Sequence, residues 1–256
     1  MLTGQYVSGM TLNVLERTLP MAITARDLAV TGGRGPVFGP LDLDVPHGWV
    51  VAIVGPQGSG RTSLLLTLSG RMRPSSGSLA VLDTDARKNP RRVQRHCAVA
   101  GFSAIDTLDE GLRVSEVIRE RADIVVPLWR RPLHATDPAF ETLVTDVFGD
   151  DPLELTAPIA SLSALDHARL RVLLALIGDP ELVAVDDVDT VRDPAEQRKL
   201  WQALQRVCAR GLTVVAAATS AAAIPGDIRV VRLAPETTPP EPTPTAPVRA
   251  LITLEA

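Results

Sequence analysis

Lysine is almost missing from this chain: among 256 residues only Lys88 and Lys199 carry an ammonium, and nearly all other positive charge is arginine. Aromatic residues make up only 3% beside abundant Ala, Val and Leu, a composition shaped by drift that can exchange lysine for arginine. A basic excess is also lacking. The formal net charge of −4 provides no positive field for neutralising a nucleic-acid backbone, so no nucleic acid is expected as a partner. Arg91-Arg92 and Arg130-Arg131 read as solvated surface. The two cysteines, Cys97 and Cys208, lie far apart without metal-ligand spacing, which points to buried thiols in a reduced, cytosolic protein. No run approaches the ~18 apolar residues that span a bilayer, and the first residues do not form a basic and then apolar leader. Any transport role therefore calls for a separate membrane-spanning chain.

What is present is a folded composition, 45% hydrophobic, enough for one large core or one core with a satellite subdomain. Residues 1–20 show no clear period and are set aside as an N-terminal extension, with Met21 a plausible alternative start. Over residues 23–54 the pattern is strand-like, with Leu28-Ala29-Val30, then Leu41-Asp42-Leu43-Asp44-Val45 alternating apolar and acidic. Trp49-Val50-Val51-Ala52-Ile53-Val54 is continuously apolar, as expected of a strand buried on both faces. Residues 62–70 read as a helix ending at glycine, and Gly77-Ser78-Leu79-Ala80-Val81-Leu82 as a short strand. Residues 105–160 are mostly helical and are cut by Pro132, Pro138, Pro152 and Pro158, the pattern of an inserted helical subdomain. Leu182-Val183-Ala184-Val185 and Thr213-Val214-Val215-Ala216-Ala217-Ala218 are two more buried strands, each preceded by a helix. Residues 21–234 thus form the domain, and the Pro- and Thr-rich residues 235–256 a tail.

Between strand and helix stands Gly55-Pro56-Gln57-Gly58-Ser59-Gly60-Arg61-Thr62. The spacing Gly-x-x-x-x-Gly-Lys-Ser/Thr lets consecutive backbone N–H groups converge on phosphate oxygens at the positive end of a helix. Gly55, Gln57, Gly58, Ser59, Gly60 and Arg61 are therefore candidate phosphate contacts, with Ser63 in reach of an inner phosphate and the Thr62 hydroxyl on Mg²⁺. Arg61 stands where lysine is expected; it keeps the charge on a larger, planar head.

The order of the remaining motifs carries a family resemblance over residues 22–233. Arg73-Pro74-Ser75-Ser76-Gly77 resembles the turn after the phosphate-loop helix of ABC (ATP-binding cassette) ATPases. Leu162-Ser163-Ala164-Leu165-Asp166 resembles a degenerate form of their LSGGQ signature, and Gly178-Asp179-Pro180-Glu181-Leu182-Val183-Ala184-Val185-Asp186 their Walker B approach. Asp193-Pro194, followed by Leu200-Trp201, is similar to their D-loop and the helix after it. The resemblance implies an α/β fold of the P-loop NTPase type: a RecA-like parallel-sheet core, an N-terminal antiparallel β portion and an inserted helical subdomain. It also implies Mg-ATP as ligand, Asp186 orienting magnesium-bound water, Ser163 contacting nucleotide, and head-to-tail homo- or heterodimers. Such dimers drive a separate permease-like membrane subunit, which would place this chain at the inner face of the cell membrane, in the cytoplasm.

Departures from the family pattern cluster at the γ-phosphate end. Asp187 holds the position of the catalytic glutamate, one methylene shorter; a base displaced by about 1 Å can lose on the order of a hundredfold in rate. Thr219 replaces the switch histidine and Ala104 the Q-loop glutamine. No aromatic residue stands near Val30-Thr31-Gly32 to stack adenine, and Phe38 is the nearest stand-in. In the signature, Asp166 puts a carboxylate into the first turn of a helix, where it stabilises the helix but repels an approaching anion. The expected function is an ATP-binding subunit with slow or impaired hydrolysis, and the alternative is a regulatory or assembly module that binds nucleotide without turnover.

Overall fold

The structure is a computed structural model describing residues 19–125, 138–151 and 153–233. Alternating apolar residues draw the start of this region into two long strands, β1 (Met21–Gly32) and β2 (Gly35–Pro46), paired antiparallel from Met21 against Pro46 to Gly32 against Gly35. The apolar run becomes β3 (Val50–Val54), and the phosphate loop leads into α1 (Arg61–Leu68). This helix stops short of Gly70, which takes the left-handed φ of +72° that ends a helix without strain. Next come β4 (Ser76–Val81) and β5 (Thr84–Asp85), which complete an antiparallel sheet of order β2-β1-β4-β5.

The chain continues through α2 (Pro90–His96), β6 (Cys97–Ala100), α3 (Val114–Val125) and α4 (Pro138–Phe148) to α5 (Ala164–Leu176) and β7 (Leu182–Val185). It ends through α6 (Pro194–Cys208), β8 (Thr213–Ala218) and β9 (Arg229–Arg232). Of the segment expected to be helical at 105–160, α3 and α4 fall within it; Pro132 and Pro152 lie outside the described residues. So do residues 1–18 and 234–256. Strands β6-β7-β8-β3-β9 form a parallel sheet in that order. The fold is α/β, with a parallel core and an antiparallel sheet beside it.

The period of two along a strand divides the interior. Val51 and Ile53, Leu182 and Ala184, Val215 and Ala217 face one core, which they share with the antiparallel sheet and with Leu64, Leu65 and Leu68 of α1. Ala52 and Val54, Val183 and Val185, Val214 and Ala216 face the other, packed against α3 to α6 around the fully buried Trp201. Continuous apolar strands are thus explained: either face of the parallel sheet is core, so no position can be polar without a partner.

Both cysteines are free and buried, and the Sγ of Cys208 donates to the Gly48 carbonyl at 3.0 Å. Burial pushes the Cys97 thiol up to about 12 and raises that of Cys208. Neither forms thiolate near neutrality, so neither serves as a nucleophile. Native protein at pH 8 is expected to resist a maleimide label at both positions and to take up two labels once unfolded in guanidinium, as read by intact-mass spectrometry.

Candidate functional site

β3 lies between β8 and β9, hydrogen-bonded on both edges, so its carboxyl end is fixed in place. The loop that leaves it is anchored again by the Gly55 N–H, which donates to the Ala218 carbonyl at the end of β8 (3.3 Å). A Cβ at Gly55 would lie 2.5 Å from Ser59 Oγ, because the loop folds back over its own root. Gly60, at φ +82°, passes so close to β2 that a Cβ there would sit 2.3 Å from the Val37 carbonyl. Only glycine fits both the dihedral and the contact.

Gly60 is also the N-cap of α1, and it caps with no side chain; no acidic residue stands in the first turn. The helical ladder begins with the Leu64 N–H donating to the Gly60 carbonyl (2.8 Å). The N–H groups of Arg61, Thr62 and Ser63 therefore precede the ladder at the positive end of the helix dipole, an arrangement that suits an anion. Two further side-chain atoms of the loop, Ser59 Oγ and Arg61 Nη1, are buried with no hydrogen-bond partner among the described residues. Unpaired buried donors of this kind are expensive unless a ligand completes them.

Opposite the helix end lies Asp186, at the carboxyl end of β7 and 9% exposed. Its carboxylate accepts from the Asp187 N–H at 3.0 Å and stands beside the Thr62 hydroxyl. Burial pushes the Asp186 carboxyl up from the usual range; the Thr62 hydroxyl and the Asp187 N–H oppose the rise, the Asp187 charge adds to it and Arg61 opposes it. Gly101, after β6, has φ +82° and lies with its Cβ position 2.2 Å from the Asp186 carbonyl, so the loop after β6 rests directly on the Asp186 backbone.

These ends surround one cleft of about 650 Å³, lined by Gln57, Gly58, Gly60, Arg61, Thr62 and Ser63 on one side. Gly101 to Ile105, Asp186, Asp187 and Thr219 line the other. Segments following β3, β6, β7 and β8 meet there, at the carboxyl edge of a parallel sheet, where open α/β folds place their ligands. The expected phosphate contacts, Asp186, Asp187 and Thr219 are thus brought together. Gly55 and Ser59 are buried within the loop and do not line the cleft. Asp187 lines it and is exposed, with a left-handed backbone (φ 53°).

One sequence expectation falls elsewhere. Phe38 is 5% exposed and packs against the Gly60 backbone; Val37, not Phe38, lines the cleft. Ser163, expected to reach a nucleotide held by a second subunit, is not among the residues lining this chain's own cleft. Its Oγ accepts from the Asp166 N–H (3.0 Å) and donates to the Asp166 carboxylate (2.7 Å), which caps α5. Asp166 is thus engaged in its own helix, backed by the buried Arg169 at 3.7 Å, which also reaches Asp151 at 2.8 Å. Sequence reasoning missed Asp189, which lies 3.6 Å from Arg61 Nη1 and accepts a hydrogen bond from the Thr219 N–H. The signal available was a lone arginine in a phosphate loop with a run of aspartates three residues beyond Asp186.

Among the described residues no helix is long and apolar enough to cross a membrane. A family model described as "ABC transporter" matches residues 38–190. CcmA of Cupriavidus pinatubonensis, a cytochrome c biogenesis ATP-binding export protein, is 36% identical over 172 residues, covering 64% of this chain and 72% of that protein. YbhF of Escherichia coli (strain K12), named as a probable multidrug ABC transporter ATP-binding protein, is 28% identical over 208 residues, 80% of this chain and 32% of that protein. The chain thus spans about a third of the length of that curated relative. In structure, cbiO1 of Clostridium perfringens, part of an ABC transporter complex, superposes with a TM-score of 0.66 at 16% identity, over 78% of this chain and 79% of the other. Matched by the family model over more than half of its length and built on the family's fold, this chain belongs to the ABC transporter family and carries its ATP-binding domain.

Proposed function

We propose that the cleft binds Mg-ATP and that nucleotide state in this chain is coupled to a separate membrane-spanning, permease-like partner, with slow hydrolysis. One observation carries the reading. A helix N-terminus free of acidic residues, carrying the Thr62 hydroxyl, faces the Asp186 carboxylate in a cleft built from four strand ends. The backbone N–H groups of the loop and Arg61 suit the phosphate chain, and Gly55, Gln57, Gly58, Ser59, Gly60 and Ser63 shape their approach.

Mg²⁺ fits the donor set. The described residues hold no cluster of three or more acidic or His/Cys ligands, and a magnesium ion coordinated mainly by phosphates and water needs only one or two protein oxygens. Thr62 would ligate it and Asp186 would orient a bound water; the ion would supply charge neutralisation at the phosphates. Asp187 is the carboxylate placed to polarise an attacking water. Its short side chain, Thr219 without an imidazole and Ala104 without an amide all weaken positioning at the γ-phosphate.

The family's head-to-tail pairing leaves room for a homodimer or a heterodimer. A permease-like partner would hold the chain at the inner face of the cell membrane. The second reading, a nucleotide-bound regulatory or assembly module without turnover, is favoured by Ser163. Its hydroxyl is already hydrogen-bonded to Asp166 within its own helix.

Two variants test the site. Asp186→Asn should weaken the Mg²⁺ enhancement of ATP binding roughly 10- to 100-fold, the scale for an outer-shell metal partner, as measured by titration with and without Mg²⁺. Because the Asp186 carboxyl is raised in the folded state, the native protein binds that proton more tightly than the unfolded chain. Its ionisation therefore lowers stability as pH rises through the ordinary carboxylate range towards the raised value. The variant should melt higher than the parent at pH 7 and lose that part of the pH slope. Asp187→Glu restores the missing methylene and should raise steady-state phosphate release by up to about a hundredfold. Release unchanged from a background-level parent selects the non-hydrolysing reading.

A further inference from the structure

We infer that Asp189 is the built-in counter-ion of the phosphate loop, a positioning residue that holds Arg61 and lowers the affinity of the site for a nucleotide triphosphate. The inference rests on the proposed binding of Mg-ATP in the cleft. Asp189 sits in the short turn Val188–Thr190, directly after Asp187. Its Oδ2 is 3.6 Å from Arg61 Nη1, and the same oxygen accepts from the Thr219 N–H, the first residue after β8. One carboxylate oxygen thus touches the only cation of the loop and the end of a neighbouring strand.

The two side chains are largely covered, 12% and 19% exposed, so solvent screens their attraction only in part. Yet 3.6 Å is too long for a hydrogen bond, and Arg61 Nη1 is buried with no hydrogen-bond partner among the described residues. Charge holds the guanidinium in place while its donor is left unspent. A phosphate oxygen arriving at the loop supplies what the carboxylate does not, and it must do so beside a resident negative charge. That repulsion grows with the charge of the ligand, so it weighs more on ATP than on ADP.

The same contact accounts for arginine at position 61. A planar guanidinium with five N–H donors can face a carboxylate with one nitrogen and a phosphate with the others, whereas an ammonium is a single point charge that Asp189 would neutralise.

The test is calorimetric titration of the full chain with Mg-ATP and Mg-ADP. The variants are Asp189→Asn, Arg61→Lys and the double variant, with thermal melting of each. Asparagine keeps an oxygen for the Thr219 N–H and removes only the charge. Asp189→Asn should bind ATP roughly tenfold tighter, gain less for ADP, and melt within a few degrees of the parent. Arg61→Lys should weaken ATP binding in the parent background and do so distinctly less beside Asp189→Asn, a non-additivity that a purely structural aspartate would not produce. If Asp189→Asn lowers stability, Asp189→Ser carries the same expectation for ATP. A parent that binds ATP and Asp189 variants that bind it equally or more weakly overturn the counter-ion role and leave the proposed function standing. Failure of both parent and variants to bind any nucleotide overturns both, and binding gained only by the variant supports both.

Discussion

The confinement of β3 between two parallel neighbours governs the rest of the molecule. A strand bonded on both edges and covered on both faces has no freedom at its carboxyl end, and Gly55 adds one more bond, to the end of β8. Everything that follows must start from that point. The loop can only turn outward over its own root, and it comes to rest against β2, so the helix after it begins with its N–H groups directed at the sheet edge. Precision at the site is inherited from the two apolar cores on either face of the sheet.

Electrostatics works against this geometry as much as with it. Around the cleft one guanidinium stands against three carboxylates, those of Asp186, Asp187 and Asp189. Such a site does not attract a polyanion by its side chains. The attraction available to a polyanion lies in the backbone dipoles at the helix end, and a divalent cation, as proposed above, would turn the surplus of carboxylates from a barrier into acceptors for water. A strongly buried acid such as Asp186 is tolerable in that arrangement because its charge is opposed in the liganded state and hydrogen-bonded in the free one.

Much of this was legible in the sequence, and the rest failed for identifiable reasons. The buried strands were legible because burial on both faces leaves an uninterrupted apolar run, as at Val50–Val54 and Leu182–Val185. The loop was legible because its chemistry uses backbone, and glycine spacing reports backbone directly. Asp189 was missed since its role depends on a contact with Arg61 across more than a hundred residues, set by the order of strands, and the nearby aspartates alone do not show which of them makes it. Phe38 was misplaced because alternation along β2 sends it into the core and its neighbour Val37 to the cleft, a parity that one register shift in the hairpin decides. Ser163 keeps the family's residue type, yet its partner is three residues away in its own helix, a local competition that motif spacing does not disclose.

The close approaches at Gly55, Gly60 and Gly101 also divide the site by its tolerance to mutation. At each of these positions even a methyl group would overlap atoms within 2.5 Å, so a sequence drifting towards alanine and arginine cannot drift there without prying one loop from the next. Residue 61 is different, since what confines its side chain is a single carboxylate, that of Asp189 at 3.6 Å. In a chain with only two lysines, the geometry of the loop is held by the positions with no side chain, while the form of its charge is set by one contact across the fold.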